Sequence, residues 1–291
     1  MWQQKSFQKN NDWGILYLVP TPIGNLEDMT LRAIRILKEV YLIAAEDTRQ
    51  TKKLCNHFEI ETHVTSYHEH NKEVSGSKLI KVLREGRDVA IVSDAGMPTI
   101  SDPGYELVQQ ALEEKCHVVP LPGANAALTA LIASGLPTDH FYYYGFLNRQ
   151  KRDKRKQLEK LKYIQDTIIF YESPHRLKET LQTISEVLGN RKVTLSRELT
   201  KKFEEFIRGD IEDVIEWANE ENVRGEFCLL LEGANESDSI PESNWWDEIT
   251  IVDHVNYYIN TKSLKSKDAI KQVAIDRKVP KRDIYQEFHV D

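Results

Sequence analysis

Cysteine is scarce: Cys55, Cys116 and Cys228 lie far apart, with no Cys-x-x-Cys spacing. This excludes a cysteine-built zinc site and a disulfide framework, and it fits a reducing cytoplasm in which lone thiols act as small core residues. No apolar run approaches the ~18–20 residues a membrane helix needs. The polar start, Met1–Asp12, lacks the apolar stretch of a secretory signal. Neither Gly-x-Gly-x-x-Gly nor Gly-x-x-x-x-Gly-Lys-Ser/Thr occurs, so a dinucleotide or triphosphate cradle has no support. Repeats of 20–50 residues and low-complexity tracts are absent as well.

What is present describes a globular chain long enough for two domains. Its 291 residues are 40% hydrophobic and 29% charged, which is too apolar for a disordered protein. The net charge of −7 hides a sharp unevenness. Arg149–Lys162 and Lys262–Arg282 each hold eight Lys/Arg against two acids, leaving the remainder strongly acidic. An acidic body with two basic segments suits a protein that meets a polyanion at chosen places; two solvated helical faces are the plainer alternative.

Short β-rich runs alternate with helical stretches over the first two-thirds, the mark of parallel α/β construction. Strands are expected at Ile15–Val19, Val40–Ala45, Val89–Ser93 and Val118–Leu121. Helices are expected at Thr30–Glu39, Val74–Glu85, Gly104–Lys115 and Ala124–Ser134. A second α/β unit reads as strands Phe141–Phe146, Thr167–Tyr171, Lys192–Arg197 and Glu226–Glu232. Its helices are Asp153–Lys162, His175–Leu188 and Asp210–Glu221. The expected division is a tail over 1–13, α/β domains over 14–137 and 138–234, a linker over 235–247 and a basic helical region over 248–291. In that last region Ser266–Asp276 and Val279–Phe288 have the spacing of a helix-turn-helix, or of a simple helical cap.

Four loops each follow a predicted parallel strand. They carry Pro22-Ile23-Gly24; Glu46-Asp47-Thr48-Arg49; Asp94-Ala95-Gly96-Met97 with Ile100 and Ser101; and Pro122-Gly123. Strand ends of an open parallel sheet share one edge, so these loops should converge and bind a ligand there. They offer Gly, Pro and acids but few cations, which suits a neutral or cationic ligand such as S-adenosylmethionine with its sulfonium. Single glycines and prolines in loops are ordinarily turns; the convergence is what gives them weight. Tyr67-His68-Glu69-His70-Asn71 brings two imidazoles together without a third ligand at metal spacing, so a substrate-contacting loop is expected there and no metal. Tyr171–Arg176, Arg197–Lys201 and Arg224–Glu226 are polar patches at strand ends, where surface ion pairing is the simpler account.

Taken in order, LYLVPTPIGN (16–25), AEDTR (45–49), SYHEHN (66–71), SDAGMPTISDPG (93–104), Pro122-Gly123, FYESPHR (170–176), RELT (197–200) and RGE (224–226) resemble the bacterial ribosomal RNA small-subunit methyltransferase I family, cytidine 2′-O-methyltransferases of the tetrapyrrole-methylase fold. The likeness is dense over 15–233; Pro20, Met97–Thr99 and Ala124–Asn125 depart from it. It implies two α/β domains of the class III methyltransferase type, a homodimer, S-adenosylmethionine as cofactor, and 16S ribosomal RNA of the small subunit as substrate. Carried over, Pro22–Gly24, Asp94–Met97, Ile100, Ser101, Pro122, Gly123, Tyr171 and Gly225 would bind the cofactor. Glu46, Asp47 and His68 are the candidates to receive the hydroxyl proton, with Asp47 favoured. Arg49, His70, Asn71, His175, Arg176, Arg197 and Lys201 would hold RNA, and Tyr67 or Tyr171 would stack on a base. A small-molecule tetrapyrrole methyltransferase and a non-catalytic ribosome-binding module are the alternatives; two extended cationic segments suit a precorrin poorly.

Overall fold

In the computed structural model of the chain, residues 1–6, 13–235, 244–247 and 249–289 are described. Residues 7–12 of the expected tail and 236–243 and 248 in or beside the expected linker lie outside them. The chain divides into two compact units, Met1–Glu236 and Ser237–Asp291.

The first unit holds two five-stranded sheets. Strands β1 (Ile15–Leu18), β2 (Leu42–Ala45), β3 (Val64–Ser66), β4 (Val89–Val92) and β5 (His117–Pro120) run parallel in the order β3-β2-β4-β1-β5. Alternate side chains feed opposite faces, as a period of two requires. Ile15, Ile43, Ala45, Ala90 and Val92 pack with Ala33, Ile36 and Leu37 of α1 (Leu31–Glu39) and Cys55 of α2 (Thr48–His57). Leu16, Ala44, Val89 and Ile91 meet Leu79 and Leu83 of α3 (Lys72–Arg84) and Leu107 and Ala111 of α4 (Tyr105–Glu113).

After α5 (Ala126–Ser134) the second sheet is built from β6 (Phe141–Phe146), β7 (Thr167–Glu172), β8 (Lys192–Arg197), β9 (Glu205–Asp210) and β10 (Phe227–Leu231). Its order is β6-β7-β10-β8-β9, and only the β6–β7 pair is parallel. The expected parallel construction therefore stops at β7, because β8 and β9 form an antiparallel pair and β10 enters between β7 and β8. Helix α5 covers one face, against Ile169, Cys228 and Leu230. Ile168, Phe170, Leu229 and Leu231 face a larger core that includes residues of α6 (Lys151–Leu161), α7 (Pro174–Leu188) and α8 (Ile211–Glu220).

Both basic segments lose cations to the fold. In the first, Lys154 is 0% exposed and donates to Glu179 Oε1 at 3.0 Å and Thr180 Oγ1 at 3.1 Å. Arg155 pairs with Glu186. The second unit is three helices, α9 (Ile251–Lys262), α10 (Ser266–Asp276) and α11 (Lys281–His289), around Val255, Ala269, Ile270, Val273 and Ile284. Helix α9 is not among the elements expected from sequence, and it supplies the partners that the four apolar residues of α10 need. Arg277 is spent inside this unit, donating from NH2 to the Trp246 and Ile249 carbonyls at 2.7 Å and from Nε to His254 Nδ1 at 3.2 Å. The other seven cations of Lys262–Arg282 are exposed.

Candidate active site

The loops leaving the first sheet meet the second sheet around a cavity of about 540 Å³, a volume ordinary for a small-molecule site. Its floor is a row of residues in register across adjacent strands: Phe146 of β6 pairs with Tyr171 of β7, Tyr171 with Cys228 of β10, and Cys228 with Ser196 of β8. Strand pairing, parallel at β6–β7 and antiparallel beyond, thus assembles into one surface residues that are up to 82 positions apart in the chain. Its opposite wall comes from Ile23, Glu46, Asp94–Met97 and Ile100–Asp102. A two-way bridge holds that wall: Thr21 N–H donates to the Gly96 carbonyl at 2.9 Å, and Gly96 N–H donates back at 3.0 Å. Gly96 takes φ +77, which L residues rarely adopt, so only glycine fits there without strain.

Carboxylates dominate the polar lining: Glu46, Asp94, Asp102, Glu172, Glu198 and Glu226. Lys201, the cation among them, is already paired with Glu198 at 3.1 Å and Glu226 at 2.9 Å. Burial, then the Glu46 charge, pushes the Asp102 carboxyl up to about 7. Burial and the Asp94 charge raise Glu46. Ser196 is 1% exposed, and its Oγ has no hydrogen-bond partner among the described residues. Glu172 is fixed from behind: its Oε2 accepts from Thr180 Oγ1 at 2.6 Å and its Oε1 from Ser173 N–H at 2.8 Å. Through Thr180 this chain of contacts ends on the buried Lys154.

Ten residues named from sequence line the cavity together: Ile23, Glu46, Asp94, Ala95, Gly96, Met97, Ile100, Ser101, Tyr171 and Lys201. Pro22, Gly24, Pro122, Gly123 and Gly225 stand outside its wall, and three of them permit close approach of backbone. A Cβ on Gly24 would lie 2.4 Å from Lys201 Cγ, one on Gly123 2.6 Å from Pro20 Cβ, and one on Gly225 2.7 Å from Glu198 Cγ. Asp47 is a cap: it accepts from Arg49 N–H at 2.8 Å at the start of α2 and pairs with the Arg49 guanidinium at 2.7 Å. Those Arg49 hydrogen bonds hold its carboxyl down to about 2, a poor proton acceptor. His68 lies outside the lining, its Nδ1 buried without a partner among the described residues.

Several expected RNA contacts are spent in the fold. Tyr67 is 1% exposed within the core of the first sheet, so it cannot stack on a base. Asn71 folds back on its own loop, accepting from His68 N–H at 2.8 Å, while His70 is exposed. Arg176 donates to the Leu147 and Asn148 carbonyls at 2.7 and 2.9 Å, Arg197 pairs with Glu205 at 3.1 Å, and His175 is exposed. Sequence reasoning misses Asp102, Asn125, Ala126, Phe146, Glu172, Glu198 and the Ser196–Cys228 floor. Asp102, Glu172 and Glu198 sit inside the motifs that carry the family resemblance; Ser196 and Cys228 carry no local signal, since only strand pairing brings them in.

Residues 15–215 match the family of Tetrapyrrole (Corrin/Porphyrin) Methylases. A Bacillus subtilis (strain 168) protein named ribosomal RNA small subunit methyltransferase I is 61% identical over 288 residues, 99% of this chain and 98% of its own. The chain belongs to this methyltransferase family. A Synechocystis member of the same name is 46% identical over 276 residues, 94% of this chain and 96% of its own. Among solved structures, uroporphyrin-III C-methyltransferase of Thermus thermophilus, in complex with S-adenosyl homocysteine, aligns with a TM-score of 0.54 at 21% identity. That alignment covers 75% of this chain and 97% of the other. Diphthine synthase aligns with a TM-score of 0.59 at 10% identity, over 77% of this chain and 92% of its own. These structures share the methylase fold.

Asp102 yields a test of the cavity's electrostatics. An unfolded aspartyl carboxyl ionises near 3.8, whereas folded Asp102 keeps its proton up to about 7. Between those values the folded state binds more protons, so stability falls as pH rises, and the loss is complete above the folded value. Asp102→Asn should therefore raise the thermal midpoint relative to wild type at pH 8, with the gain vanishing near pH 4. A gain independent of pH would show that the aspartate carries no such cost.

Proposed function

We propose that the chain transfers a methyl group from S-adenosylmethionine to the 2′-oxygen of a cytidine ribose in 16S ribosomal RNA. The observation that carries this reading is the cavity, acidic at its walls and apolar beneath. Its residues fit the cofactor. The carboxylates suit a ligand bearing positive charge, Ile23, Met97, Leu199 and Cys228 offer apolar contact, and Ser196 Oγ has a free hydrogen-bonding capacity. When bound, S-adenosylmethionine supplies a methyl group on a positively charged sulfur. The near full-length likeness to proteins named for ribosomal RNA supports the RNA substrate.

The protein's own part is to hold the ribose hydroxyl, exclude water and take up its proton. Glu46 is the acceptor we assign among the three sequence candidates, because it lines the cavity and its carboxyl is raised toward the range in which a base works well. Asp47 and Arg49 serve instead to start α2 just behind it. Gly24, Gly123 and Gly225 shape the cofactor site by letting the segments around it approach closely.

Tritium from labelled S-adenosylmethionine should enter isolated small ribosomal subunits and be recovered as 2′-O-methylcytidine. Transfer to a tetrapyrrole alone, or to nothing, would overturn the reading. Glu46→Gln should lower kcat by about 10²–10⁴-fold, a loss larger than any fall in calorimetric affinity for S-adenosylmethionine; equal losses in both would show that Glu46 only binds the cofactor.

Two features of the assembly belong to the same proposal. The protein is read as a homodimer working in the cytoplasm, where its RNA substrate is. The exposed aromatic edge at Phe141 and Tyr142 supports the dimer, and light scattering should return a mass near twice 33.8 kDa; a monomer at every concentration would refute it. The seven exposed cations of the second unit are assigned to RNA. The log–log salt dependence of RNA affinity should then be steeper for the full chain than for one ending at Glu236, by about 0.7–0.9 per phosphate held.

A further inference from the structure

Beside the cavity lies a second hollow of about 800 Å³, between the β6–α6 connection and the start of α7. The two hollows share Phe146 and Ser173 but differ in charge. No carboxylate lines the second one; Arg149, His175 and Arg176 do. Arg176 builds the wall, since its NH2 group is committed to the Leu147 and Asn148 carbonyls. Arg149 and His175 are exposed and make no hydrogen bond or ion pair among the described residues. Gln150 and Ser173, which also line the hollow, are the N-cap residues of α6 and α7, and neither supplies a side-chain cap. The positive ends of two helices therefore reinforce the unpaired Arg149 guanidinium beside the His175 imidazole, a hydrogen-bond donor. On the shared wall stands Phe146, 53% exposed and edge-on to Tyr171 at 5.6 Å between ring centroids.

An aromatic face flanked by an unpaired guanidinium and a free imidazole donor is a pattern that grips a single nucleic-acid strand by stacking and charge. We propose that this hollow is the RNA-strand subsite of the enzyme: a phosphate flanking the target ribose is held between Arg149 and His175, and a base stacks on Phe146. The inference rests on the reading of the chain as an RNA methyltransferase and adds where the strand runs. It reassigns the roles expected from sequence, because Tyr67 is buried and Arg176 is a clamp, while Arg149 and Phe146 take over phosphate and base. The charge contrast also gives each hollow its own ligand: the acidic one repels phosphate, and the cationic one disfavours a sulfonium.

The test uses the full chain with labelled S-adenosylmethionine and isolated small ribosomal subunits. Arg149→Ala should raise KM for subunits about tenfold, the order expected for one charge-assisted hydrogen bond, with kcat within about twofold. The salt slope of affinity for a fluorescent single-stranded RNA should fall by about 0.7–0.9. Arg149→Lys should restore most of both. Phe146→Ala should weaken the same RNA by about five- to a hundredfold without changing the salt slope. Calorimetric affinity for S-adenosylmethionine should stay near that of wild type in both Arg149 variants, which also reports that the cavity is intact; Phe146 lines the cavity as well, so its variant is read by the RNA affinity and salt slope alone. An unchanged KM and slope in Arg149→Ala would overturn the proposal, as would a fall in kcat at constant KM. A wild-type chain that binds S-adenosylmethionine yet methylates no subunit would instead refute the functional reading, and the RNA-affinity series would still decide the subsite.

Discussion

The site exists because loops of one sheet are clasped to the other beside the cavity. Asn25 N–H donates to Thr200 Oγ1 at 3.0 Å, the Ser101 and Tyr143 hydroxyls share a hydrogen bond of 2.6 Å, and Ala127 N–H donates to Tyr171 OH at 3.1 Å. Each joins a segment following a strand of the first sheet to the second sheet or its connections. A parallel sheet delivers its loops to one edge for free, but loops alone are mobile. The clasps fix them against a floor that is itself rigid, since Tyr171 and Cys228 belong to β7 and β10, strands with neighbours on both sides. Gly24 belongs to the same constraint, because any side chain there would enter the space of Leu199–Lys201.

Charge is then divided by geometry and not by composition. The carboxylates that converge on the cavity come from loops of both halves and from the end of β7, and Lys201 among them is neutralised by two of their number. Arg149 and Arg176 each stand three residues beyond the shared wall at Phe146 and Ser173. A net charge of −7 says nothing of this division. Even the basic helix misleads when counted, because Lys154 is turned inward to support Thr180 and so Glu172. Removing a hydrogen-bond partner from a buried carboxyl costs about 1–3 kcal/mol, which is why so small a network can hold the wall between the hollows.

The parallel half is legible in the sequence because its strands are short apolar runs followed by Gly/Pro turns, and the parallel rule then places Asp94–Ser101 beside Glu46. What escapes has physical reasons. Helix α2 reads TRQTKKLCNH with Thr51 and Cys55 as its buried residues, too few for a visible apolar stripe. Strand β3 is three residues long, and β9 is a half-exposed edge strand ending in Arg208-Gly209-Asp210. Without β9 and the antiparallel course of β10, no reading of local pattern could line up Tyr171, Cys228 and Ser196. Motif order leads to loops that line the cavity, whereas the role of a residue within a loop depends on partners that sequence does not show.

Glu46 and Asp47 make that last point most sharply. They are neighbours in the chain, both acidic, both directly after β2, and on sequence alone Asp47 is the favoured base. The backbone turn into α2 separates them. Asp47 becomes the N-cap, and capping with ion pairing stabilises its charged form. Glu46 faces the cavity, where burial and the like charge of Asp94 destabilise its ionised form. Asp94 acts on both, since its Oδ1 also accepts the Asp47 N–H at 3.0 Å and so fixes the turn that sets them apart. Two carboxylates whose environments push their proton affinities in opposite directions have different chemical uses. The one held low is structural, and the one held high is the proton acceptor proposed above.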